Sequence, residues 1–332
     1  MIEKVLITGI TGFVGSHMAD YLLEVDKDIR VYGLKRWNLS KMRNIRHFLD
    51  NRRVTLLDCD ITDPIGVRNV MERVKPDRVF HFAAESFVSL SWLHPSHYMD
   101  VNFKGTLNFL DAIRQSGTNP RFLIAGSGEE YGEIHENELP ITEETVLTPV
   151  NPYAVSKIAQ DLIGFVYFKS YGLNVIRTRA FNHEGPRRDN VFGIPWYAYQ
   201  IARIELGRQE PIVRVGHIDD KRNFTHVRDM VEAYWLAMVH CEPGELYLIG
   251  SEEPNHIYTF REAAELLVKM SIVDSIRIEV DTEFVRPTSV PRLIGDTRKF
   301  RELTGWKPKI TFEKILQDTL EYWRHFVRND LY

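Results

Sequence analysis

The segment VLITGITGFVGSHMADYLL, residues 5–23, reads as a β-strand, a glycine-rich turn and a helix in immediate succession. Its apolar start is typical of a buried parallel strand, and its later part has the periodicity of an amphipathic helix. Gly9, Gly12 and Gly15 lie between the two. Glycines at this place allow a tight turn, close approach of the backbone to a pyrophosphate and close helix–strand packing. An ordinary strand–helix turn, the alternative, would rarely need all three.

The start of the helix near Gly12 would also favour an anion, because its free N–H groups and the positive end of its dipole point outward. We therefore predict that this strand–turn–helix unit binds a dinucleotide. The residues predicted to contact the dinucleotide here are Gly9, Thr11, Gly12, Phe13, Val14 and Gly15.

The first half of the chain alternates β-rich runs with segments of helical period, which favours a doubly wound parallel sheet. The predicted strands are 4–9, 30–35, 54–60, 78–84, 121–127 and 174–180, and the predicted helices are 13–25, 96–116, 228–240, 259–270 and 312–327. The expected fold is α/β: a Rossmann-type sheet with a smaller, mixed α/β C-terminal lobe. We place the dinucleotide domain at 1–181 and the substrate lobe mainly at 182–332, with some segments returning to the first domain.

Composition excludes several classes of protein. The 332 residues are 44% hydrophobic and 27% charged, with a net charge of -4, as in an ordinary soluble protein. Nothing in this charge indicates a nucleic-acid or membrane partner, and no apolar run is long enough to span a bilayer. Cys59 and Cys241 fit neither a zinc site nor a redox pair. Because no targeting signal precedes the first strand, we expect a cytoplasmic enzyme with free thiols and no metal.

The end of the second predicted strand bears on the choice of cofactor. Enzymes that use NAD usually carry an acidic residue there, which binds the ribose hydroxyls. This chain has Lys35 and Arg36 in the sequence GLKRW, 33–37. Two cations suit the 2′-phosphate, so we predict NADP rather than NAD; the alternative is a pair of solvated surface charges.

The sequence NPYAVSK, 151–157, places a phenol and an ammonium group one helical turn apart. Residues four apart are neighbours on a helix surface, so Lys157 is expected close to Tyr153. A nearby cation favours the phenolate and lowers the pKa of a tyrosine. That suits a group which must give and take a proton near neutrality.

Together these motifs resemble the extended short-chain dehydrogenase/reductase superfamily, over nearly the whole chain. Its nearest group is similar to the GDP-mannose 4,6-dehydratases and the GDP-4-keto-6-deoxymannose reductases. The motifs that carry the resemblance are TGITGFVG (8–15), HFAAES (81–86), GSGEEYG (126–132), NPYAVSK (151–157), FNHEGPRR (181–188), KRNFTHVRDMVEAYW (221–235) and VRPTSVPRLIGD (285–296).

The resemblance implies a catalytic triad of Ser127, Tyr153 and Lys157. The tyrosine would take the proton of the sugar's carbon-4 hydroxyl as hydride passes to the nicotinamide. The lysine would lower the pKa of that tyrosine and hold the nicotinamide ribose, and the serine would bond the same hydroxyl. A non-catalytic dinucleotide sensor, the alternative class, often lacks the tyrosine or the lysine.

The resemblance also implies further contacts with the cofactor and the substrate. Those expected for the cofactor are Asp60 and Ile61 near the adenine, and Ala83 and Ala84 near the diphosphate. Those expected for a nucleotide sugar are Ser86, Asn182, Glu184, Arg187, Arg222 and Arg286. Arg222 and Arg286 would clamp the diphosphate, a task suited to the guanidinium group.

Glu129 separates the reactions that this superfamily performs. Dehydratases carry a carboxylate two residues after the serine, which removes the carbon-5 proton, whereas simple 4-epimerases have a small apolar residue there. Gly128 departs from the dehydratase pattern, so Glu129 would have to act first as base and then as acid. Since 4-keto reductases can also carry a glutamate here, a GDP-mannose 4,6-dehydratase is the leading prediction and a GDP-4-keto-6-deoxyhexose reductase the alternative. A third possibility for Glu129 is a cap of the turn leading to Tyr131.

Two further expectations follow from the resemblance. Trp196 replaces the lysine that the GDP-mannose dehydratases carry, and a stacking role on the base is one interpretation.

The helix 153–172 has apolar residues on almost every face, including Phe165, Val166, Tyr167 and Phe168. A helix with that much apolar surface requires burial on more than one side. We predict a homodimer through a four-helix contact, with a tetramer as the larger alternative and a helix buried within one chain as the competing interpretation.

Overall fold

The strands of the chain form one large sheet and several small ones. A computed structural model describes residues 2–252 and 254–329. In chain order the strands are β1 Lys4–Thr8, β2 Arg30–Lys35, β3 Val54–Asp58, β4 Arg78–His81, β5 Arg121–Ser127, β6 Val175–Ala180, β7 His183–Glu184, β8 Ile212–Val215, β9 Lys221–Asn223, β10 Thr225–His226, β11 Leu246–Ile249, β12 Ile257–Thr259, β13 Arg277–Val280 and β14 Arg292–Leu293.

Helices alternate with these strands. They are α1 Phe13–Val25, α2 Pro64–Val74, α3 Val88–Ser91, α4 Pro95–Tyr98, α5 Gly105–Ser116, α6 Pro152–Tyr171, α7 Gly193–Glu205, α8 Val227–His240, α9 Phe260–Lys269, α10 Arg298–Thr304 and α11 Phe312–Arg328. The 3₁₀ segments are Met42–Phe48, Gly128–Tyr131, Glu136–Glu138, Pro254–His256 and Thr282–Phe284, and Met99–Lys104 is π-helical.

Within the described residues the large sheet has seven strands in the order β11-β6-β5-β4-β1-β2-β3, and all its pairings are parallel. The predicted doubly wound α/β fold is therefore confirmed. The strand order reverses between β1 and β4, and ligands of such sheets bind outside the carboxyl ends of the strands at this switch point. The remaining strands form smaller sheets. β9 pairs with both β12 and β14, β13 pairs with β8, and β10 pairs with β7.

The predicted strands and helices agree with the structure except at their ends. Strands β1, β3 and β4 end at Thr8, Asp58 and His81, before the predicted ends at 9, 60 and 84, because turns and loops begin there. The predicted helix 96–116 is divided into α4, a π-helical segment and α5. The side chain of Asn102 exchanges hydrogen bonds of 2.8 and 3.0 Å with the backbone of Glu85, which ties this segment to the loop after β4. π-Helical turns are frequent at functional sites.

The described residues contain four clusters of buried apolar side chains, and the two largest lie on one face of the large sheet and in the C-terminal half. One lies between the sheet and helices α1 and α8, and its buried residues include Met18, Leu123 and Met230. The other packs α7, α9 and α11 around Trp323, which is 1% exposed. The strand β11 joins the edge of the large sheet although it follows residue 182. The boundary between domains at 181/182 stays a prediction.

Helix α6 is the longest described helix and has clear signals at both ends. The side chain of Asn151 accepts a hydrogen bond of 2.7 Å from Ala154 N, and Pro152 occupies the first turn, where its missing N–H costs nothing. Gly172 ends the helix with φ 66°, a conformation that favours glycine. No helix within residues 2–252 and 254–329 is both long and apolar enough to cross a membrane.

Candidate active site

A cavity of about 1050 Å³ opens at the carboxyl ends of β1, β4, β5 and β6. Fifteen of the residues predicted from the sequence line it. They are Gly9, Gly12, Phe13, Val14, Gly15, Ala84, Ser86, Ser127, Glu129, Tyr153, Lys157, Asn182, Glu184, Arg222 and Arg286. These fifteen residues, which include all four predicted catalytic residues, are thus brought together at the switch point of the sheet.

The glycine turn forms a cradle that side chains would fill. A Cβ atom on Gly15 would lie 2.3 Å from the Gly9 carbonyl oxygen, and one on Gly9 would lie 3.0 Å from the backbone of Ala83. Gly9 also has φ 70°. Helix α1 begins at Phe13 without a side-chain cap, and its first residues, Phe13, Val14 and Gly15, line the cavity. This geometry fits the diphosphate of a dinucleotide.

Ser127 ends β5 and caps the 3₁₀ turn Gly128–Tyr131. Its Oγ accepts a hydrogen bond of 3.2 Å from Glu129 N, while the Glu130 carboxylate accepts one of 2.7 Å from Ser127 N. This reciprocal capping box fixes the backbone of the turn. The side chain of Glu129 takes no part in the capping box and lines the cavity instead.

Tyr153 lies on the first turn of α6 and is buried. Burial raises its pKa above the usual value, whereas the side-chain hydrogen bond with Ser127 lowers it. The negative charge of Glu129 raises the pKa of Tyr153 further, and the positive charge of Arg188 lowers it. In this structure the serine and Arg188 therefore favour the phenolate of Tyr153.

Lys157 donates hydrogen bonds to strand β5 and to its own helix α6. Its Nζ donates to Ala125 O at 2.7 Å and to the side chain of Gln160. Gln160 donates a hydrogen bond of 2.6 Å to Thr106 Oγ1. The same Thr106 oxygen is bonded to His81 Nε2 at 2.9 Å. Burial lowers the pKa of His81 to about 3, so this imidazole is neutral. The ammonium group that we predicted beside Tyr153 is thus held by a buried chain of polar groups. The groups that mainly set the pKa of Tyr153 do not include Lys157.

Glu129 shares one wall of the cavity with a pair of arginines. Its Oε2 accepts a hydrogen bond of 3.3 Å from Asn151 Nδ2, and its charge acts on Arg222. Arg222 and Arg286 both face Asp220, at 3.4 and 3.7 Å. A carboxylate, two guanidinium groups and the serine–tyrosine pair therefore line a single space.

Other predicted residues lie outside the cavity wall; they are Thr11, Lys35, Arg36, Asp60, Ile61, Ala83 and Arg187. Ala83 N donates to Thr8 Oγ1 at 2.9 Å beside the glycine turn. Lys35 forms an ion pair with Asp58 on the adjacent strand β3. Arg187 Nη1 contacts Asp20 Oδ2 on α1 at 2.6 Å, so its side chain points away from the expected substrate position.

The structure instead brings Arg188 and His183 to the cavity. The guanidinium of Arg188 lies 4.3 Å from the ring centre of Phe192 and 5.5 Å from that of Phe13. It also lies 3.4 Å from Glu184, a buried carboxyl whose pKa burial raises to about 7. The two arginines of GPRR could have indicated this residue, but the sequence does not show which of them turns inward.

Aromatic side chains make up much of the remaining wall. Trp196 lines the cavity with its ring centre 5.4 Å from that of Phe284, and its indole N–H donates to Arg214 O at 3.0 Å. Phe260 and Tyr197 also line the cavity. Sequence reasoning missed Phe260 and Phe284, because aromatic residues far apart in the chain carry no local signal of a common surface.

The comparisons with known proteins agree with this geometry. Residues 6–319 match the model of the GDP-mannose 4,6 dehydratase family. The chain is 32% identical to a GDP-6-deoxy-D-mannose reductase of Pseudomonas aeruginosa, over 99% of this chain and 100% of that protein. It is 33% identical to GDP-mannose 4,6 dehydratase 1 of Arabidopsis thaliana, over 94% of this chain and 87% of that protein.

A solved structure, that of RMD from Pseudomonas aeruginosa complexed with NADPH, has the same fold. Its TM-score is 0.81 at 30% identity, with 97% of this chain and 99% of that chain covered. A family match across nearly the whole chain, relatives above 30% identity and a shared fold point to one conclusion. The chain belongs to the GDP-mannose 4,6 dehydratase family, within the extended short-chain dehydrogenase/reductases.

Proposed function

We propose that the protein is an NADP-dependent GDP-mannose 4,6-dehydratase, which converts GDP-mannose into a GDP-4-keto-6-deoxy sugar. The observation that carries the proposal is the position of Glu129. Its carboxylate enters the same cavity as Ser127, Tyr153 and Lys157, and it is not used as the cap of its turn. The 4-keto reductases can carry a glutamate here too, but a reaction that only moves hydride at carbon 4 gives this carboxylate no proton to remove.

The cofactor site supports NADP. Side chains at Gly9 and Gly15 would meet backbone atoms, so only glycines allow the tight turn on which such folds bind a diphosphate. Lys35 ends β2 and Arg36 follows it, next to the ribose position of such folds, and family relatives include a protein whose structure holds NADPH. When bound, NADP supplies the acceptor and donor of hydride. Arg36 is the better placed of the two cations for the 2′-phosphate, because Lys35 is paired with Asp58.

The side chains of this cavity would divide the remaining chemistry. Tyr153, bonded to Ser127, takes the proton from the carbon-4 hydroxyl. The carbon-5 proton then lies alpha to a ketone and is acidic enough for a carboxylate to remove. Glu129 takes that proton and gives it to the departing carbon-6 hydroxyl, so that water leaves. One carboxylate can perform both steps on one face of the sugar.

Arg222 and Arg286 are proposed to bind the diphosphate of the nucleotide sugar. Both line the cavity, and Arg222 is 1% exposed, so its charge is poorly solvated and would gain from an anionic ligand. Asn182, Glu184 and Ser86 lie along the same space. GDP is preferred over other nucleotides because the relatives with this pattern are named for GDP-linked sugars.

A 4-keto reductase is the second candidate, and one observation favours it. Gly128 has no side chain, and Phe181 and Leu293 occupy the space that one would need, at 3.0 and 3.2 Å from its Cβ position. No second acid can therefore stand beside Glu129 at this position to protonate a leaving hydroxyl. The similar protein of Pseudomonas aeruginosa, covered over its full length, is named a reductase.

Isotopic labelling separates the two reactions. A dehydratase returns the carbon-4 hydride to carbon 6 of the same sugar, so GDP-mannose deuterated at carbon 4 should lose water and carry deuterium at carbon 6. Mass spectrometry and NMR of the product, with NADP present, measure this. We expect Glu129→Gln to reduce elimination by about 100-fold or more while carbon-4 oxidation stays detectable.

The alternative gives a different pattern. If GDP-mannose is inert and the 4-keto-6-deoxy sugar is reduced with one NADPH consumed per sugar, the protein is a reductase. Glu129→Gln should then have little effect. Tyr153→Phe is the control for both, because each reaction needs its proton transfer.

A further inference from the structure

A cluster of buried charges lies directly behind the catalytic residues. It consists of Glu130, Asp161, Arg177 and Arg179, and we call it the buried ion cluster. Arg179 bridges its two carboxylates, with 2.7 Å from Nε to Glu130 and 2.7 Å from Nη2 to Asp161. Arg177 binds Asp161 through two hydrogen bonds of 2.6 and 2.9 Å. Burying charges is costly unless they are paired in this way.

Glu130 is the member that touches the active-site backbone. Its Oε1 accepts the hydrogen bond of 2.7 Å from Ser127 N. A Cβ atom on Gly126 of β5 would lie 2.7 Å from the same oxygen and 2.4 Å from Thr178 O, so only glycine fits between β6 and the carboxylate at this position. Glu130 is completely buried, and it therefore acts on Ser127 through fixed geometry rather than through solvent.

Glu130 also acts on Lys157 through its charge. Burial lowers the pKa of Lys157, and the carboxylates of Glu130 and then Asp161 oppose this. The ammonium also donates to Ala125 O on β5 and to Gln160 on its own helix, and the nearby His81 on β4 is neutral. Among the charged groups that act on Lys157, the carboxylates of Glu130 and Asp161 favour the ammonium form.

Neighbouring groups act on the pKa of Glu130 in both directions. Burial and the charge of Asp161 raise this pKa, to about 7, while Arg179, the Ser127 N–H and Lys157 favour the ionised carboxylate. Lys157, Arg177 and Arg179 are three cations that face two carboxylates. Protonating Glu130 would leave this buried group with a larger excess of positive charge.

We propose that Glu130 is a positioning residue of the active site, which anchors the Ser127 backbone to Arg179 and keeps Lys157 in its charged form. The proposal rests on the proposed function only in that Ser127 and Lys157 serve the reaction. The carboxylate that follows Glu129 thus has a task different from that of Glu129: it does not line the cavity, but maintains Ser127 and Lys157, which do.

Glu130→Gln tests the charge, because glutamine can still accept the Ser127 hydrogen bond. Two quantities are followed against pH: NADPH affinity, by fluorescence, and kcat with the preferred sugar. In wild type both should decline at alkaline pH as Lys157 loses its proton. In Glu130→Gln we expect this decline about one pH unit or more lower. Glu130→Asp keeps the charge but withdraws it from Ser127, so its decline should match wild type while kcat falls about tenfold.

Glu205→Gln is the matched control, because the Glu205 side chain is 7% exposed and pairs with Arg324 at 2.7 Å in the C-terminal half. It should leave both pH profiles where wild type has them. Coincident profiles of Glu130→Gln and wild type would overturn the proposal, as would an equal shift in Glu205→Gln. If Glu130→Gln does not fold, an unchanged kcat in Glu130→Asp overturns it.

Because NADPH affinity is measured without a sugar substrate, the test of Glu130 does not depend on the test of the proposed function. A wild-type protein that turns over neither GDP-mannose nor its 4-keto-6-deoxy derivative contradicts the proposed function. NADPH binding still decides the role of Glu130 in that case.

Discussion

The ring of Phe181 lies against three glycines, Gly128, Gly250 and Gly295. Cβ atoms at these positions would lie 3.0, 3.1 and 2.0 Å from the Phe181 side chain. Phe181 is 1% exposed, so its ring has little room to move when a neighbour grows. The glycine that departs from the dehydratase pattern is therefore required by packing at the end of β6, whichever reaction the site performs.

Gly128→Ala should lower the free energy of unfolding by about 1–3 kcal/mol, because the added methyl group overpacks the buried ring. Urea denaturation measures this loss. In a Phe181→Leu background the same change should cost less, since the smaller side chain leaves space, and a double-mutant cycle gives the coupling. Equal losses in both backgrounds would show that Phe181 does not constrain position 128.

Arg187 and Arg188 are adjacent in the chain, but their side chains point to different places. Both belong to the same motif, yet Arg187 adopts φ 72° and pairs with Asp20, while Arg188 faces the cavity. The direction of a loop side chain depends on the backbone around it, which the motif does not specify. The sequence could predict an arginine at this site but not which one.

At the scale of the elements, the carboxyl ends of the strands carry the chemistry. β1 leads into the glycine cradle, β5 into Ser127 and Glu129, and β6 into Asn182. Each of these was predictable, because every motif directly follows an apolar run that reads as a strand. The π-helical segment Met99–Lys104 was not, and its Asn102 is bonded to Glu85, which lies 17 residues earlier in the chain.

The end of β2 offers a test of cofactor choice. Because Lys35 is paired with Asp58, Arg36 should contribute more to the 2′-phosphate. We expect Arg36→Ala to weaken NADPH binding about tenfold or more with little effect on NADH, a magnitude typical of hydrogen bonds to charged groups. Lys35→Ala should have a smaller effect. Fluorescence titration of both cofactors measures this; equal loss for NADPH and NADH would contradict the assignment of the 2′-phosphate to this element.

At the scale of the whole molecule, α6 presents one side to the sheet and another outward. Tyr153, Lys157 and Asp161 are buried, whereas Leu162 and Val166 are 46% and 47% exposed. Val155 lies on the same outer face, because positions seven and eleven residues apart coincide on a helix. The prediction that α6 is apolar on more than one side is consistent with this surface, and we propose that it forms a homodimer interface. A cytoplasmic location stays a prediction of the sequence.

Leu162→Glu should dissociate this dimer, because an unpaired carboxylate in an apolar interface costs about 2 kcal/mol or more and raises the dissociation constant over tenfold. Sedimentation at micromolar concentration measures the assembly. Ile272→Glu is the control, since Ile272 is 77% exposed and lies outside α6, after α9. A wild-type monomer, or equal dissociation by both changes, would contradict the interface.

The sequence by itself determined the features that depend on neighbouring residues: the strand–turn–helix unit, the alternation that makes a parallel sheet, and the Tyr153–Lys157 pair. Each is written in a contiguous segment whose local geometry follows from its residue types. Only the tertiary structure decided that Lys157 is bonded to the Ala125 carbonyl of β5, that Phe181 closes the space beside Gly128, and that Glu130 is paired with Arg179. These contacts join segments distant in the chain, so they arise from how the elements pack, and no local pattern specifies them.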